Sequence, residues 1–212
     1  MIPSDPAAQG ILHQLHGTLR RAQNLGFLGP GPTDQHIIRA LDLGRVVASS
    51  PVRALDLGTG GGIPGLPLAL LWPDSEWVLL DGSVKRTAFL GEAVDELGLL
   101  NRVSVVTQRA EVAARLPAFR CTFDLVVARG FAGPAVTAEC GSPFLKQAGQ
   151  LVVAEPPGGE PSRWDTVGLA KLGMTLGKSQ DSPTACQVLL QSERCPSRFP
   201  RRTGIPAKRP LW

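Results

Sequence analysis

The sequence predicts an α/β fold: a doubly wound, Rossmann-like sheet, mostly parallel with an antiparallel edge strand, preceded by N-terminal helices. Three observations predict it. From residue 53 onward, short apolar runs alternate with stretches of helical periodicity, the pattern of a parallel sheet with helices on both faces and right-handed crossovers. Residues 54–81 (Ala-Leu-Asp-Leu-Gly-Thr-Gly-Gly-Gly-Ile-Pro-Gly, an apolar stretch, then Trp-Val-Leu-Leu-Asp) read as strand, glycine turn, helix, strand, acid. Before residue 50 the apolar residues recur at helical spacing instead.

The elements follow in order. Residues 5–25 place Ile11, Leu12, Leu15 and Leu19 along one helix face. Residues 26–32 form a breaker-rich loop. A second helix covers 34–48 through Ile37, Ile38, Leu41 and Val46/Val47. The first strand is 53–57 with its helix at 64–72, and the second strand is 76–80. Ser83 caps a helix that runs through Leu97, and Gly98 stops it. The third strand is 103–106 with a short helix at 110–115. The fourth is 123–128 with a helix at 134–144, and the fifth is 150–154. Residues 173–178 and 186–190 make a last hairpin, which places one antiparallel strand at the edge. The expected organisation is a helical extension over 1–50, a cofactor-binding domain over 51–193 and a basic tail over 194–212.

A chain of 212 residues, 43% hydrophobic, supports one sizeable core. The opening residues from Met1 to Pro6 have neither the basic nor the apolar region of a leader. The longest apolar stretches, such as 66–72, are too short to span a bilayer. Cys121, Cys140, Cys186 and Cys195 are scattered without a C-x-x-C pair, so neither a metal site nor a disulfide framework is indicated. The reading is a cytoplasmic monomer with no metal and no membrane partner. Net charge is +4, but unevenly placed. Arg194, Arg198, Arg201, Arg202, Lys208 and Arg209 fall after the last acid, Glu193; the first 193 residues hold the other 16 bases against 18 acids, a net of −2. A basic tail is either the footprint of a phosphate-rich partner or a solvated end. Its four prolines, at 196, 200, 206 and 210, keep it from forming a long helix.

Two ligands compete for the glycine loop. Gly60-Gly61-Gly62-Ile63-Pro64-Gly65 matches the dinucleotide pattern, and Asp81 lies near the ribose distance. Asp56, two residues before Gly58, argues for S-adenosylmethionine, whose ammonium suits a carboxylate that would repel a pyrophosphate. Ligands of open α/β sheets lie beyond the carboxyl ends of the strands. The candidates there are Asp56, Gly58 and Gly60 after the first strand, and Asp81 after the second. Arg109, Ala110 and Glu111 follow the third, Arg129 the fourth and Glu155 the fifth. Asp81 and Glu111 also suit helix starts. His13, His16 and His36 sit on amphipathic helices, where surface or packing roles suffice.

Missing residues narrow the chemistry. Transfer to an exocyclic amine calls for an Asp/Asn-Pro-Pro-aromatic stretch after the fourth strand; here Ala128-Arg129-Gly130-Phe131 stands there. Transfer to a pyrimidine carbon calls for a Pro-Cys nucleophile, which is absent. A ring nitrogen with a free lone pair needs neither, and positioning then carries the reaction. Arg129 is the candidate for that positioning, holding the cofactor's end or an RNA phosphate.

Leu-Asp-Leu-Gly-Thr-Gly-Gly-Gly-Ile-Pro-Gly resembles the signature of the bacterial small-subunit ribosomal RNA methyltransferase G family. Supporting stretches are 80–90 (Leu-Asp-Gly-Ser-Val-Lys-Arg-Thr-Ala-Phe-Leu), Arg109-Ala110-Glu111, 123–131, and the tail Pro200-Arg201-Arg202-Thr203-Gly204-Ile205-Pro206. The resemblance implies a class I methyltransferase fold, S-adenosylmethionine as cofactor, and methylation of N7 of a guanine in 16S rRNA or the 30S subunit. It puts cofactor contacts on Gly58, Ile63, Ala110, Glu111 and Arg129; the charge of the tail puts Arg201, Arg202 and Lys208 on RNA. The chain departs from the family at Glu155-Pro156, where a Lys-Gly is usual, at Gly26, and at Arg39-Ala40. These departures leave open a different methyl acceptor, or binding of cofactor and rRNA without catalysis.

Overall fold

In a computed structural model the described residues are 6–156, 158, 161–181 and 183–212. The leader-free reading of Met1 to Asp5, and Pro157 of the Pro-Pro pair, lie outside them. A seven-stranded sheet runs through the chain. Its strands are β1 (Arg53–Leu57), β2 (Glu76–Asp81), β3 (Val103–Thr107), β4 (Phe123–Ala128), β5 (Leu145–Ala154), β6 (Met174–Gln180) and β7 (Cys186–Gln191), in the order β3-β2-β1-β4-β5-β7-β6. The first five strands pair in parallel, with Leu55 beside Val78 on one side and Val126 on the other. The expected antiparallel element is the β6–β7 hairpin at that edge: β7 runs antiparallel to both β5 and β6. Chain order reverses between β1 and β4, and the crevice at that switch point is where this class of sheet holds ligands.

The period-2 pleat sends alternate strand residues to two cores. On one face Ala54, Leu79, Leu125 and Val127 pack with α1 (Pro6–Asn24), α2 (Thr33–Arg45), α3 (Gly65–Leu71) and α4 (Val84–Glu96). On the other, Leu55, Leu57, Val126 and Ala128 pack with α5 (Ala110–Ala113), α6 (Pro134–Gly141) and α7 (Thr166–Lys171). Burial on both faces explains why β1, β2 and β4 read as nearly continuous apolar runs. The stretch expected as an N-terminal extension shares the first core: Leu15, Leu19, Ile37 and Leu43 are buried in it.

Three differences from the sequence reading have local causes. β5 starts at Leu145, five residues early, because Leu145 pairs with Phe123 before the ladder shifts at an irregularity; the intervening Lys146, Gln147 and Ala148 are exposed and hide the strand. α7 was not expected. It is only six residues long and starts where the Asp165 side chain accepts the Gly168 amide at 2.5 Å. The tail holds a further short helix, α8 (Ile205–Lys208), with Pro206 in its first turn.

The tail is held, not loose. Glu139 of α6 is fully buried and accepts the Arg201 amide at 2.8 Å and both arms of the Arg201 guanidinium, at 2.6 Å for Nη2 to Oε2. Arg120 donates to the carbonyls of Cys195, Pro196 and Phe199 at 3.1, 3.1 and 2.9 Å. The Trp212 indole donates to the Arg163 carbonyl at 3.0 Å. Glu139→Ala removes the acceptor and leaves Arg201 half-buried and unpaired. The expected cost is about 3 kcal/mol, read as a lowered melting temperature with faster tryptic clipping of the tail. A change within about 0.5 kcal/mol would show that the pair does not anchor the tail.

Candidate active site

A cleft of about 640 Å³ opens at the carboxyl ends of β1, β2 and β4. Its walls include Gly58, Gly60, Ile63, Asp81, Ala110, Glu111 and Arg129, all expected from sequence; Phe27 and Leu28 close it from the α1–α2 loop, and Ala207 from the tail.

The loop after β1 turns where a side chain cannot follow. Gly58 has φ +72, and a Cβ built there would stand 2.5 Å from the Phe131 ring. Only glycine accepts both that backbone and that contact. Asp81 ends β2 at 3% exposure. Its Oδ2 accepts the Gly60 amide at 3.0 Å; its Oδ1 accepts the Ser83 amide at 2.9 Å and Arg86 Nη2 at 2.8 Å. The acid thus ties the glycine loop to the start of α4 and keeps one lone pair, on Oδ2, at the cleft wall.

Asp56 is corrected by the structure. It does not line the cleft: it is fully buried beneath the loop, and its Oδ2 accepts the Gly65 amide at 2.8 Å. Burial pushes its carboxyl up to about 7. The alternation of β1 sends it to the same face as Ala54, behind the loop instead of into it. Glu111 sits at the cleft wall and accepts the tail's Gly204 amide at 2.9 Å and Arg109 Nη2 at 3.4 Å. Burial works against the charge, but the Gly204 amide and Arg109 outweigh it and hold this carboxyl below the usual range.

Arg129 leaves β4 and turns into the cleft. Its Nη2 donates to His36 Nδ1 at 3.1 Å, and its Nη1 is buried with no hydrogen-bond partner among the described residues. Burial, and Arg39 nearby, push its guanidinium down. His36 Nε2 donates to the Gly29 carbonyl at 3.2 Å. The ring is therefore the neutral Nε2–H tautomer. Burial and Arg129 push His36 down as well.

Sequence reasoning missed His36, Arg86 and Phe131. A histidine on an amphipathic helix gives no local signal of a partner 93 residues away. Arg86 follows Asp81 by one helical entry, and that spacing was available as a clue. Arg201 is also corrected. Assigned to RNA from its place in the tail, its guanidinium is engaged inward on Glu139, whereas Arg202 and Lys208 are exposed. Cys140 lines the cleft, but burial, Glu111 and Glu139 push its thiol up, which favours the protonated form over the nucleophilic thiolate. Among the described residues no group of acids, histidines and cysteines could hold a metal ion, and no helix is long and apolar enough to cross a membrane.

The strand order, the glycine loop at the switch point and the acid closing β2 define a class I methyltransferase fold. Solved structures share it: the cofactor-bound Rv0187 from MTB superposes with a TM-score of 0.59 at 17% identity, over 91% of this chain and all of that one. The T. thermophilus 16S rRNA N2 G1207 methyltransferase, solved with AdoMet and guanosine, gives 0.52 at 21% identity, over 75% of this chain and 40% of that one. The sequence model described as rRNA small subunit methyltransferase G matches residues 32–156. Proteins named ribosomal RNA small subunit methyltransferase G are similar along the chain. The one from Rubrobacter xylanophilus is 36% identical over 210 residues, 91% of this chain and 78% of its own length. That from Moorella thermoacetica is 37% identical over 186 residues, 84% and 77%. One from Prochlorococcus marinus is 36% identical over 174 residues, 76% of this chain and 66% of the relative, so the chain spans just under two-thirds of that relative's length. The chain belongs to the rRNA small subunit methyltransferase G family.

Two measurements check the site. Gly58→Ala forces a Cβ into the Phe131 ring at a positive φ, and calorimetry should show at least about a tenfold loss of S-adenosylhomocysteine affinity. Undiminished binding would mean that the loop and ring have room to move. For His36, the folded state resists protonation because its pKa is depressed. The unfolded chain therefore takes up the proton first, and stability is full above about pH 6.5 and lost as pH falls below it. A protonated His36 also cannot accept from Arg129. Melting temperature should fall below about pH 6.5, S-adenosylhomocysteine affinity only at the lower pH where the folded protein itself takes up the proton, and His36→Gln should flatten both declines. Equal declines in the two proteins would remove His36 from the account.

Proposed function

We propose that this chain transfers a methyl group from S-adenosylmethionine to N7 of a guanine in 16S ribosomal RNA, acting in the cytoplasm. Family membership supports the reaction class. The observation that carries the cofactor assignment is the pair of groups that line the cleft on either side of β1: Asp81 with one lone pair left, and Arg129 with a buried, unpartnered Nη1. A ligand with both a ribose and a carboxylate answers both. Asp81 would hold a ribose hydroxyl, Arg129 the carboxylate, and the Ala110–Glu111 turn the adenine. When bound, the cofactor supplies an electrophilic sulfonium methyl.

The residues themselves have a limited task. Guanine N7 carries a free lone pair, so no base has to remove a proton, and the protonated Cys140 is no liability. What remains is alignment of acceptor and methyl. Arg129 fixes that geometry through a guanidinium anchored on His36. Phe131 closes over Gly58 and excludes water at the loop. Arg202 and Lys208, exposed beside the cleft, suit RNA phosphates.

Mass spectrometry of nucleosides from unmodified 30S subunits treated with the protein and S-adenosylmethionine should reveal 7-methylguanosine. Its absence would sink the proposal. Arg129→Lys keeps the charge but loses the fork. It should fall about a hundredfold in rate, and Arg129→Ala by a similar factor. A fully active Lys variant would show that charge alone suffices.

A further inference from the structure

A second cleft, of about 320 Å³, opens beside the ends of β4 and β5 and shares Arg129 and Phe131 with the first. Its other walls come from Glu155 at the end of β5, Pro156, Arg163 and Trp164. Glu155 is not a stray surface acid. Its side chain is 11% exposed. Oε1 accepts the Trp164 indole at 2.9 Å, and Oε2 pairs with Arg163 Nη1. Each oxygen keeps a further lone pair. The arrangement is a carboxylate with a guanidinium at its flank, in a cleft lined also by Phe131, Pro156 and Trp164.

We propose that this second cleft seats the acceptor guanine and that Glu155 reads its Watson–Crick edge. The inference rests on the rRNA methylation proposed above. Guanine is the one standard base with two adjacent N–H donors on that edge, at N1 and N2. Adenine and cytosine set a bare ring nitrogen beside their amine, and uracil offers a single N–H. A carboxylate therefore pairs with guanine alone through two bonds, and Arg163 lies on the side where O6 would fall. The orientation also selects the reacting atom. With N1 and N2 held at the end of β5, the opposite edge, which carries N7, faces Arg129 and the first cleft. A site that grips N1 and N2 cannot methylate them.

The test uses 30S subunits rebuilt from 16S rRNA with guanosine or inosine at the position where mass spectrometry finds the new methyl group. Inosine keeps O6 and N7 and lacks the N2 amine. A lost bond to a charged group is worth about tenfold to a hundredfold, so the native protein should prefer guanosine by that factor in kcat/KM. Glu155→Gln places an amide against a donor, and the preference should shrink to near parity while S-adenosylhomocysteine affinity stays unchanged. If Glu155→Gln fails to bind S-adenosylhomocysteine, Glu155→Asp takes its place, and the native comparison stands regardless. Equal use of guanosine and inosine by the native protein would overturn the inference, as would a native-sized preference in the variant, and both leave N7 methylation intact. A native protein that makes no 7-methylguanosine would overturn both proposals together.

Discussion

The hydrogen bond from the Gly65 amide to Asp56 is the constraint on which the cleft depends. It joins the middle of β1 to the start of α3, across the loop that forms the cofactor wall. The contact leaves no slack: a Cβ on Gly65 would fall 2.6 Å from Asp56 Oδ2 and 2.5 Å from Leu79. Burying a carboxyl this deeply is costly, and the upward push to about 7 measures that reluctance. In return the loop has a single seat. With Gly65 fixed below, Gly60 can reach Asp81 and Gly58 can pass under Phe131. The acid in the Leu-Asp-Leu-Gly signature is thus a strut behind the site.

How much of this was legible in the sequence follows from how local each cause is. The strands, the Ser83 cap and the glycine loop are set by neighbours a few residues apart, and their boundaries fall within a few residues of those observed. Asp81, Glu111 and Arg129 were found because strand ends point at the crevice in this class of sheet. The Asp56 reading took nearness to the strand end as enough to face the crevice, but Asp56 is the penultimate residue of β1 and the pleat turns it to the face that it shares with Ala54. Packing of α1 and α2 on the sheet brings Phe27 and Leu28 to the cleft and His36 to Arg129, and no spacing within the chain encodes that. Arg201 failed for a similar reason, since its partner Glu139 is 62 residues away and a run of basic residues looks the same whether its members face solvent or a buried acid.

The tail therefore has two kinds of base. Arg201 is part of the fold, held by Glu139, and Arg198 lies over the Phe199 ring at 5.1 Å. Arg202 and Lys208 stay exposed on the same short stretch. Anchoring one arginine inward fixes the position of the next outward, so the exposed charge is presented from a defined place without a flexible arm to be ordered on binding.

Gly204 and Ala207 complete the cleft: the first through its amide on Glu111, the second as wall. Both come after every strand of the sheet in chain order. This last stretch is therefore part of the cofactor wall, and the same few residues that supply the Ala207 surface also supply the amide that steadies the Glu111 carboxylate.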